Sequence, residues 1–321
     1  MADKFLIILS PPRSFSSVVS TMIGQHPQLY GFPELHLFIG DTVQAVLDRE
    51  YRVGNFFGPP GVIRSIAELV FGCQTSATVV KAIGWLAERR HWSTKQLMDL
   101  FRELVDPKIA MEKSPVTALK PLYIERAYAF YPDAYYLHLT RHPVSTRKSL
   151  IEFREMKRER HVGGVDIPVG DHPVDDLLVW HRFHKNILEF TRNLPLGQSI
   201  RVRGEDVLSE PDVYLAQIAE WLGLRTDREA IEAMKHPEAS PYAYRGPTPA
   251  HGGNDPNFMR SPRLRPGKIR EPSLRDFLDR NNINWVNEDR AETLRESGFR
   301  LVPEEMVMEE ILGMSHCMGY L

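Results

Sequence analysis

Apolar and polar positions along the chain follow two alternating rhythms. Short, nearly unbroken apolar runs occur at Phe5–Leu9, near Ile109–Met111, at Tyr135–Leu139 and at Ile200–Val202, as expected of strands buried on both faces of a parallel sheet. Between them, apolar residues recur every three or four positions. In "DVYLAQIAEWLGL", after Pro211, residues Tyr214, Ile218, Trp221 and Leu222 share one helical face and Gly223 supplies a stop signal. Residues 62–105 read as helical ("SIAELVFG", "VVKAIGWLAERR", "TKQLMDLFREL") and predict an insertion between the first and second core strands that shapes a cleft. Residues 240–266, rich in Pro, Gly, Asn and Arg, predict a long irregular loop, and loops of that length inside a compact domain usually carry function. The pattern argues for the α/β class: a P-loop-like parallel β-sheet flanked by helices. Residues 1–321 are expected to form one domain, with a helical insertion at about 62–105 and a loop at about 240–270 covering the site.

Charge narrows the function classes. Lys+Arg 40 against Asp+Glu 42 leaves a net charge of -2, so no global basic field argues for nucleic acid and any anion site must be local. Cys73 and Cys317 are too few for a disulfide framework and lack metal-ligand spacing, which points to a reducing cytoplasm. The run Phe5–Leu9 is too short for a secretory signal. No stretch approaches the ~18 apolar residues of a membrane span, so a soluble protein is expected. His181 and His184, in "WHRFHKN", lack the company of further ligands, and no metal is expected.

The candidate chemistry sits at strand ends. In "FLIILSPPRSFSSVVSTMIGQHP" a strand runs through a proline turn into a helix, and the free N–H groups of a helix start attract anions. Arg13, Ser14, Ser16 and Ser17 add a guanidinium and hydroxyl donors. The plainer alternative is that Ser14 caps the helix and Arg13 is a solvated charge. A nucleoside-triphosphate P-loop needs G-x-x-x-x-G-K-[ST], and neither its glycines nor its lysine are here. In "YYLHLTRHPVSTRKSL" Arg141 follows a strand, Pro143 opens a helix and Ser149 stands about two turns in. "GFPELHLF" supplies Glu34 and His36, and its apolar neighbours Phe32, Pro33, Leu35 and Phe38 are expected to raise the Glu34 pKa. If this stretch is extended, Glu34 and His36 point to one side. Lys113, in "MEKSP", either stabilises oxygens of a transferring group or pairs with Glu112.

Together these segments resemble the PAPS-dependent sulfotransferases, in particular bacterial members and the tyrosylprotein and heparan enzymes. Pro12-Arg13-Ser14-Phe15-Ser16-Ser17 is similar to the family's first phosphate loop, although glycine is common where Phe15 stands. The resemblance implies that Arg13, Ser14, Phe15, Ser16 and Ser17 bind the 5′-phosphosulfate and that Arg141 and Ser149 clasp the 3′-phosphate. "SIRVRGEDVLSEPDVYLAQIAEWLGL" resembles a further family segment and brings Arg203 to the nucleotide, with Gly204 where many members carry an aromatic residue near the adenine. Arg263, Arg265, Gly267 and Lys268 are candidates to close over the nucleotide, the alternative being a solvated basic loop. Glu34 takes the place of the catalytic base, His36 is the runner-up or an orienter, Lys113 assists, and His251 is a candidate to reach the acceptor. The implied reaction transfers the sulfonate of PAPS to a hydroxyl, leaving 3′,5′-ADP, with no metal required. The implied acceptor is lipidic, acyl or polyketide-like, in one version presented by an acyl carrier protein. Two other readings stay open: a kinase-like nucleotide-binding enzyme, and a non-catalytic anion-binding scaffold hinted at by Phe15 and Gly204.

Overall fold

The computed structural model describes residues 4–160, 175–265, 267–280, 283 and 304–320. Five parallel strands form the central sheet in the order β2-β3-β1-β4-β5. They are β1 (Phe5–Leu9), β2 (Leu29–Gly31), β3 (Ile109–Lys113), β4 (Tyr135–Thr140) and β5 (Ser199–Arg203). All five residues of the central strand β1 are buried. Phe5, Ile7 and Leu9 face one apolar layer, and Leu6 and Ile8 face the other, as the two-residue period of a strand requires. Each such side chain removed from water contributes roughly 1.5–3 kcal/mol.

The first layer is built by α3 (Pro60–Leu69), α4 (Ser76–Glu88), α5 (Thr94–Val105), α6 (Pro121–Phe130) and α8 (Asp176–Thr191). The second is built by α1 (Ser16–Ile23), α9 (Gly204–Ser209), α10 (Pro211–Trp221) and α11 (Arg228–Met234). Capping boxes at Thr75–Thr78 and Ser93–Gln96 satisfy the first N–H groups of α4 and α5. Gly223, just past α10, has φ 65 and ends that helix in the left-handed region.

Two elements depart from the expectations. The edge strand β2 has only three residues, so its apolar signal is too short to register. The helical insertion therefore lies between β2 and β3, and it begins earlier, with α2 (Val43–Arg52), a largely polar helix that buries Val43 and Val46. The loop from 240 onward is irregular apart from a 5-residue helix, α12 (Pro256–Arg260). Arg64 of α3, 2% exposed, holds this loop to the insertion through the carbonyls of Gly252 and Pro241. Beyond it, α13 (Leu274–Arg280) and α14 (Glu304–Cys317) share an apolar cluster with Leu177 and Trp180 of α8, and carry Tyr320 to the end of β4. No described helix is long and apolar enough to cross a membrane.

Candidate active site

Three neighbouring strands deliver their cations to the C-terminal end of the sheet. Lys113 ends β3, Arg13 follows β1 and Arg141 follows β4. Because β1 lies between β3 and β4 and the chain order reverses there, this is the switch-point crevice where open α/β sheets hold ligands. The remainder of α7 (Pro143–Arg160) places Ser149, 8% exposed, over the same crevice.

The loop after β1 is tightly specified. Arg13 (φ 64) and Phe15 (φ 59) both adopt left-handed backbone, at a cost of order 1–3 kcal/mol each for non-glycine residues. Arg141 offsets part of that cost: its Nη1 donates to the Arg13 carbonyl at 2.6 Å and its guanidinium lies 4.0 Å from the Phe15 ring centroid. Gly204 also stands against Phe15: a Cβ there would lie only 2.9 Å from Phe15 Cδ2. The bulky residue at 15 and the missing side chain at 204 are thus two halves of one contact. Phe15 is the N-cap position of α1 and makes no side-chain cap. Ser14 caps nothing either: its buried Oγ, like Ser10 Oγ and Arg141 Nε, has no partner among the described residues. Arg13 is no free surface charge, since Nε donates to Ser149 Oγ at 3.1 Å and Nη1 pairs with Asp255. The two segments that the sequence offers as anion-site candidates are therefore in contact.

Behind Arg13 runs a chain of charges. Lys113 Nζ, fully buried, donates to Glu34 Oε1 at 2.6 Å, Ser17 Oγ at 3.2 Å and Asn254 Oδ1 at 3.3 Å. Glu34 Oε2 stands 3.6 Å from His36 Nε2, and His36 Nδ1 lies 2.9 Å from Glu50 Oε1. Asn55 Nδ2 donates to the other Glu50 oxygen. Gly61, in the first turn of α3, lets that helix lie directly on Glu34: a Cβ there would meet the Glu34 carbonyl at 2.0 Å.

This network corrects three expectations. Burial does push Glu34 upward, but the Lys113 ammonium and His36 outweigh it and hold the carboxyl at about 2. His36 moves the opposite way: burial lowers it, while Glu34 and Glu50 on either side raise it to about 9. Lys113 pairs with Glu34, not with Glu112, because adjacent strand residues project to opposite faces. Glu112 instead accepts from Ser114 Oγ and is pushed up by burial to about 7. The stretch after Glu34 is not extended either. His36 has φ 57 and Leu37–Ile39 is a 3₁₀ turn, so the chain curls to bring the imidazole back to Glu34.

Other candidates lie further out. His251 turns into its own loop, with Nδ1 2.9 Å from the Gly246 carbonyl and Nε2 3.3 Å from Thr248 Oγ1. Arg203 pairs with Glu271 and lies over the Tyr320 ring at 4.5 Å, while Tyr320 donates to Glu205 Oε2 at 3.0 Å. Arg263, Arg265, Gly267 and Lys268 are exposed. Glu50, Asn254 and Asp255 were not among the candidate site residues: Glu50 sits in a charged helical stretch, and the other two lie in the segment "GNDPNF", which resembles bacterial sulfotransferases acting on carrier-bound chains but gives neither residue a role.

Cations, hydroxyls and a helix start on one side and a fixed carboxylate on the other suit the transfer of an anionic group to a neutral nucleophile. A model of the sulfotransferase family matches residues 6–228, and this chain belongs to that family. Among solved structures, the sulfotransferase domain from the curacin biosynthetic pathway is similar over 93% of this chain and 99% of its own, with a TM-score of 0.65 and 21% identity. The sulfotransferase domain from the Synechococcus PCC 7002 olefin synthase is similar over 94% and 96%, with a TM-score of 0.62 and 22% identity. At those identities the likeness is one of fold. No curated protein matches the chain. The protein is a sulfotransferase with the α/β fold of that family.

Proposed function

We propose that this enzyme takes its sulfonate from PAPS and passes it to a hydroxyl on an acyl or polyketide-like chain, presented by a carrier protein. The observation that carries the donor assignment is the contact between Arg13 and Ser149, which joins the two anion loops into one cradle. The unpartnered buried donors Ser14 Oγ and Arg141 Nε suit a ligand carrying anions at both ends. In this reading Arg13, Ser14, Ser16 and Ser17, with the backbone at Phe15, hold the 5′ end, and Arg141 and Ser149 hold the 3′-phosphate. Arg203, Arg265, Gly267 and Lys268 border the nucleotide. When bound, PAPS supplies an activated sulfonate and leaves as 3′,5′-ADP.

Glu34 acts as the base. Its carboxylate stays ionised at neutral pH, and its side chain is 24% exposed, so it is not sealed off from an acceptor. A carboxylate at about 2 is a weak base toward a free alcohol, so the proton moves to Oε2 late, as the reacting oxygen becomes acidic. His36, protonated near neutral pH between its two carboxylates, orients Glu34 and does not take the first proton. Lys113 has all three N–H groups engaged and acts as the charge that fixes Glu34.

A cavity of about 210 Å³ between α2 and α4, with Leu47, Phe56, Phe57 and Leu86 on its apolar side and Gln44, Asp48 and Arg90 on its polar side, offers room for a chain that carries both apolar and polar groups. It opens on the loop whose Asn55 grips Glu50. The carrier-bound version rests on resemblance to bacterial enzymes that act on such chains. We read the whole chain as one catalytic domain working in the reducing cytoplasm, in keeping with its two exposed free cysteines. The test is incubation with ³⁵S-labelled PAPS and a 3-hydroxyacyl chain, either free or on an acyl carrier protein. A labelled sulfate ester that forms fastest on the carrier is the expected result. Label on simple phenols and none on acyl chains overturns the acceptor class.

A further inference from the structure

We infer that the turn Gly253–Asp255 is a working part of the active site, in which Asn254 and Asp255 are positioning residues for Lys113, Ser17 and Arg13. Three consecutive residues, more than 200 positions from the first loop, each grip a different part of the site. The Gly253 carbonyl accepts from the Glu34 N–H at 2.7 Å. Asn254, 9% exposed, gives Oδ1 to Lys113 at 3.3 Å and anchors its Nδ2 on the Tyr242 carbonyl at 3.3 Å. Asp255 donates its N–H to Ser17 Oγ at 3.0 Å and pairs its carboxylate with Arg13. The same carboxylate accepts from the N–H groups of Asn257 and Phe258 and so locks the turn in place.

The consequence for Ser17 follows from hydroxyl valence. Its oxygen has two acceptor lone pairs and one proton. Lys113 Nζ and the Asp255 N–H occupy both lone pairs. The Ser17 proton is left to donate, which presets this side chain for an anion and not for a cation or a neutral donor. Asp255 likewise fixes one edge of the Arg13 guanidinium while Ser149 takes Nε, so the orientation of the guanidinium is set from two sides. The turn thus sets donor direction before any ligand arrives.

This inference rests on the proposed nucleotide reading, and its test separates the two. Calorimetric titration with 3′,5′-ADP and with adenosine 3′-phosphate is made on the wild type and on Asp255→Ala, Asp255→Asn and Asn254→Ala. The two alanine variants are expected to weaken 3′,5′-ADP by about tenfold, the scale of one charge-assisted hydrogen bond. They should leave adenosine 3′-phosphate, which lacks the 5′ group, within about threefold. Asp255→Asn keeps an acceptor for Arg13 and the cap of α12, and is expected to rescue most of the loss. Equal affinity of all variants for both nucleotides overturns the inference, as does parallel loss of both nucleotides with a falling melting temperature. If Asp255→Ala does not fold, Asn254→Ala and Asp255→Asn decide. A wild type that binds neither nucleotide overturns the nucleotide reading and this inference with it.

Discussion

The two halves of the loop that follows Ser240 meet the rest of the molecule differently. Gly253–Asp255 is fastened to Glu34, Lys113, Ser17 and Arg13, whereas Arg263, Arg265 and Lys268, a few residues on, stand exposed. The difference is one of charge sign. An amide oxygen and a carboxylate find cations already present at the strand ends, and they order at once. Among the described residues Arg263, Arg265 and Lys268 make no ion pair, and in the proposed reading their partner is the anionic nucleotide. The first half is part of the folded site, and in the proposed reading the second half is left to meet the ligand.

The strongest way to break this contrast is to remove the buried ammonium that the first half grips. Lys113→Met leaves Glu34 without its counter-charge, and stranding one member of a buried pair costs about 3–5 kcal/mol. We expect a visible loss of urea stability and sulfonate transfer reduced by about 10²–10⁴. Glu34→Gln should show the same loss of transfer while 3′,5′-ADP binding persists, measured by labelled ester formation beside calorimetry. A Glu34→Gln enzyme of normal rate would remove Glu34 from the role of base.

Next in size is the second half. Changing Arg263, Arg265 and Lys268 together to alanine should weaken 3′,5′-ADP about tenfold and flatten the dependence of binding on salt. The melting temperature of the free protein should hardly move, since exposed substitutions usually fall within about 0.5 kcal/mol. A large drop in stability without ligand would mean that this half, too, belongs to the resting structure.

An effect on stability, and not on binding alone, is expected where Phe15 meets Gly204. Gly204→Ala forces its new methyl against the ring and should cost about 1–3 kcal/mol. Phe15→Gly, paired with it, should recover part of that loss in a double-mutant cycle. Strict additivity would deny the contact.

The broadest effect is on pH dependence. His36 titrates at about 9 in the fold against 6.5 for an ordinary histidine. The stability it contributes is full below about 6.5 and is lost as pH rises through about 9. Glu34, held at about 2 against 4.5, contributes stability that is full above 4.5 and lost as pH falls through about 2. Urea midpoints measured across pH should therefore decline on the alkaline side, and Glu50→Gln should shrink that decline by lowering His36.

Much of this was readable from residue order alone, for local reasons. Strands β1, β3, β4 and β5 are apolar runs bounded by turns, and Arg13, Arg141 and Lys113 were visible because each ends such a run. The edge strand β2 escaped because three residues carry no periodicity, and α2 because it buries so few side chains. The electrostatics of Glu34 escaped for another reason. Its immediate neighbours are apolar, but the ammonium that outweighs them, Lys113, comes from a distant position in the chain, and His36 is charged because a remote carboxylate joins Glu34 beside it. Glu50 likewise reaches His36 from the far end of α2. Local composition predicts burial, and only the fold supplies the counter-charges.

The most direct test of the central claim is calorimetric titration of the purified protein with 3′,5′-ADP, 5′-AMP and ATP plus Mg²⁺, repeated with Arg141→Ala. Tight binding of 3′,5′-ADP that needs the 3′-phosphate and weakens in Arg141→Ala is the predicted result. Preference for ATP with Mg²⁺, or equal binding of 5′-AMP and 3′,5′-ADP, would contradict the assignment of this cradle to PAPS.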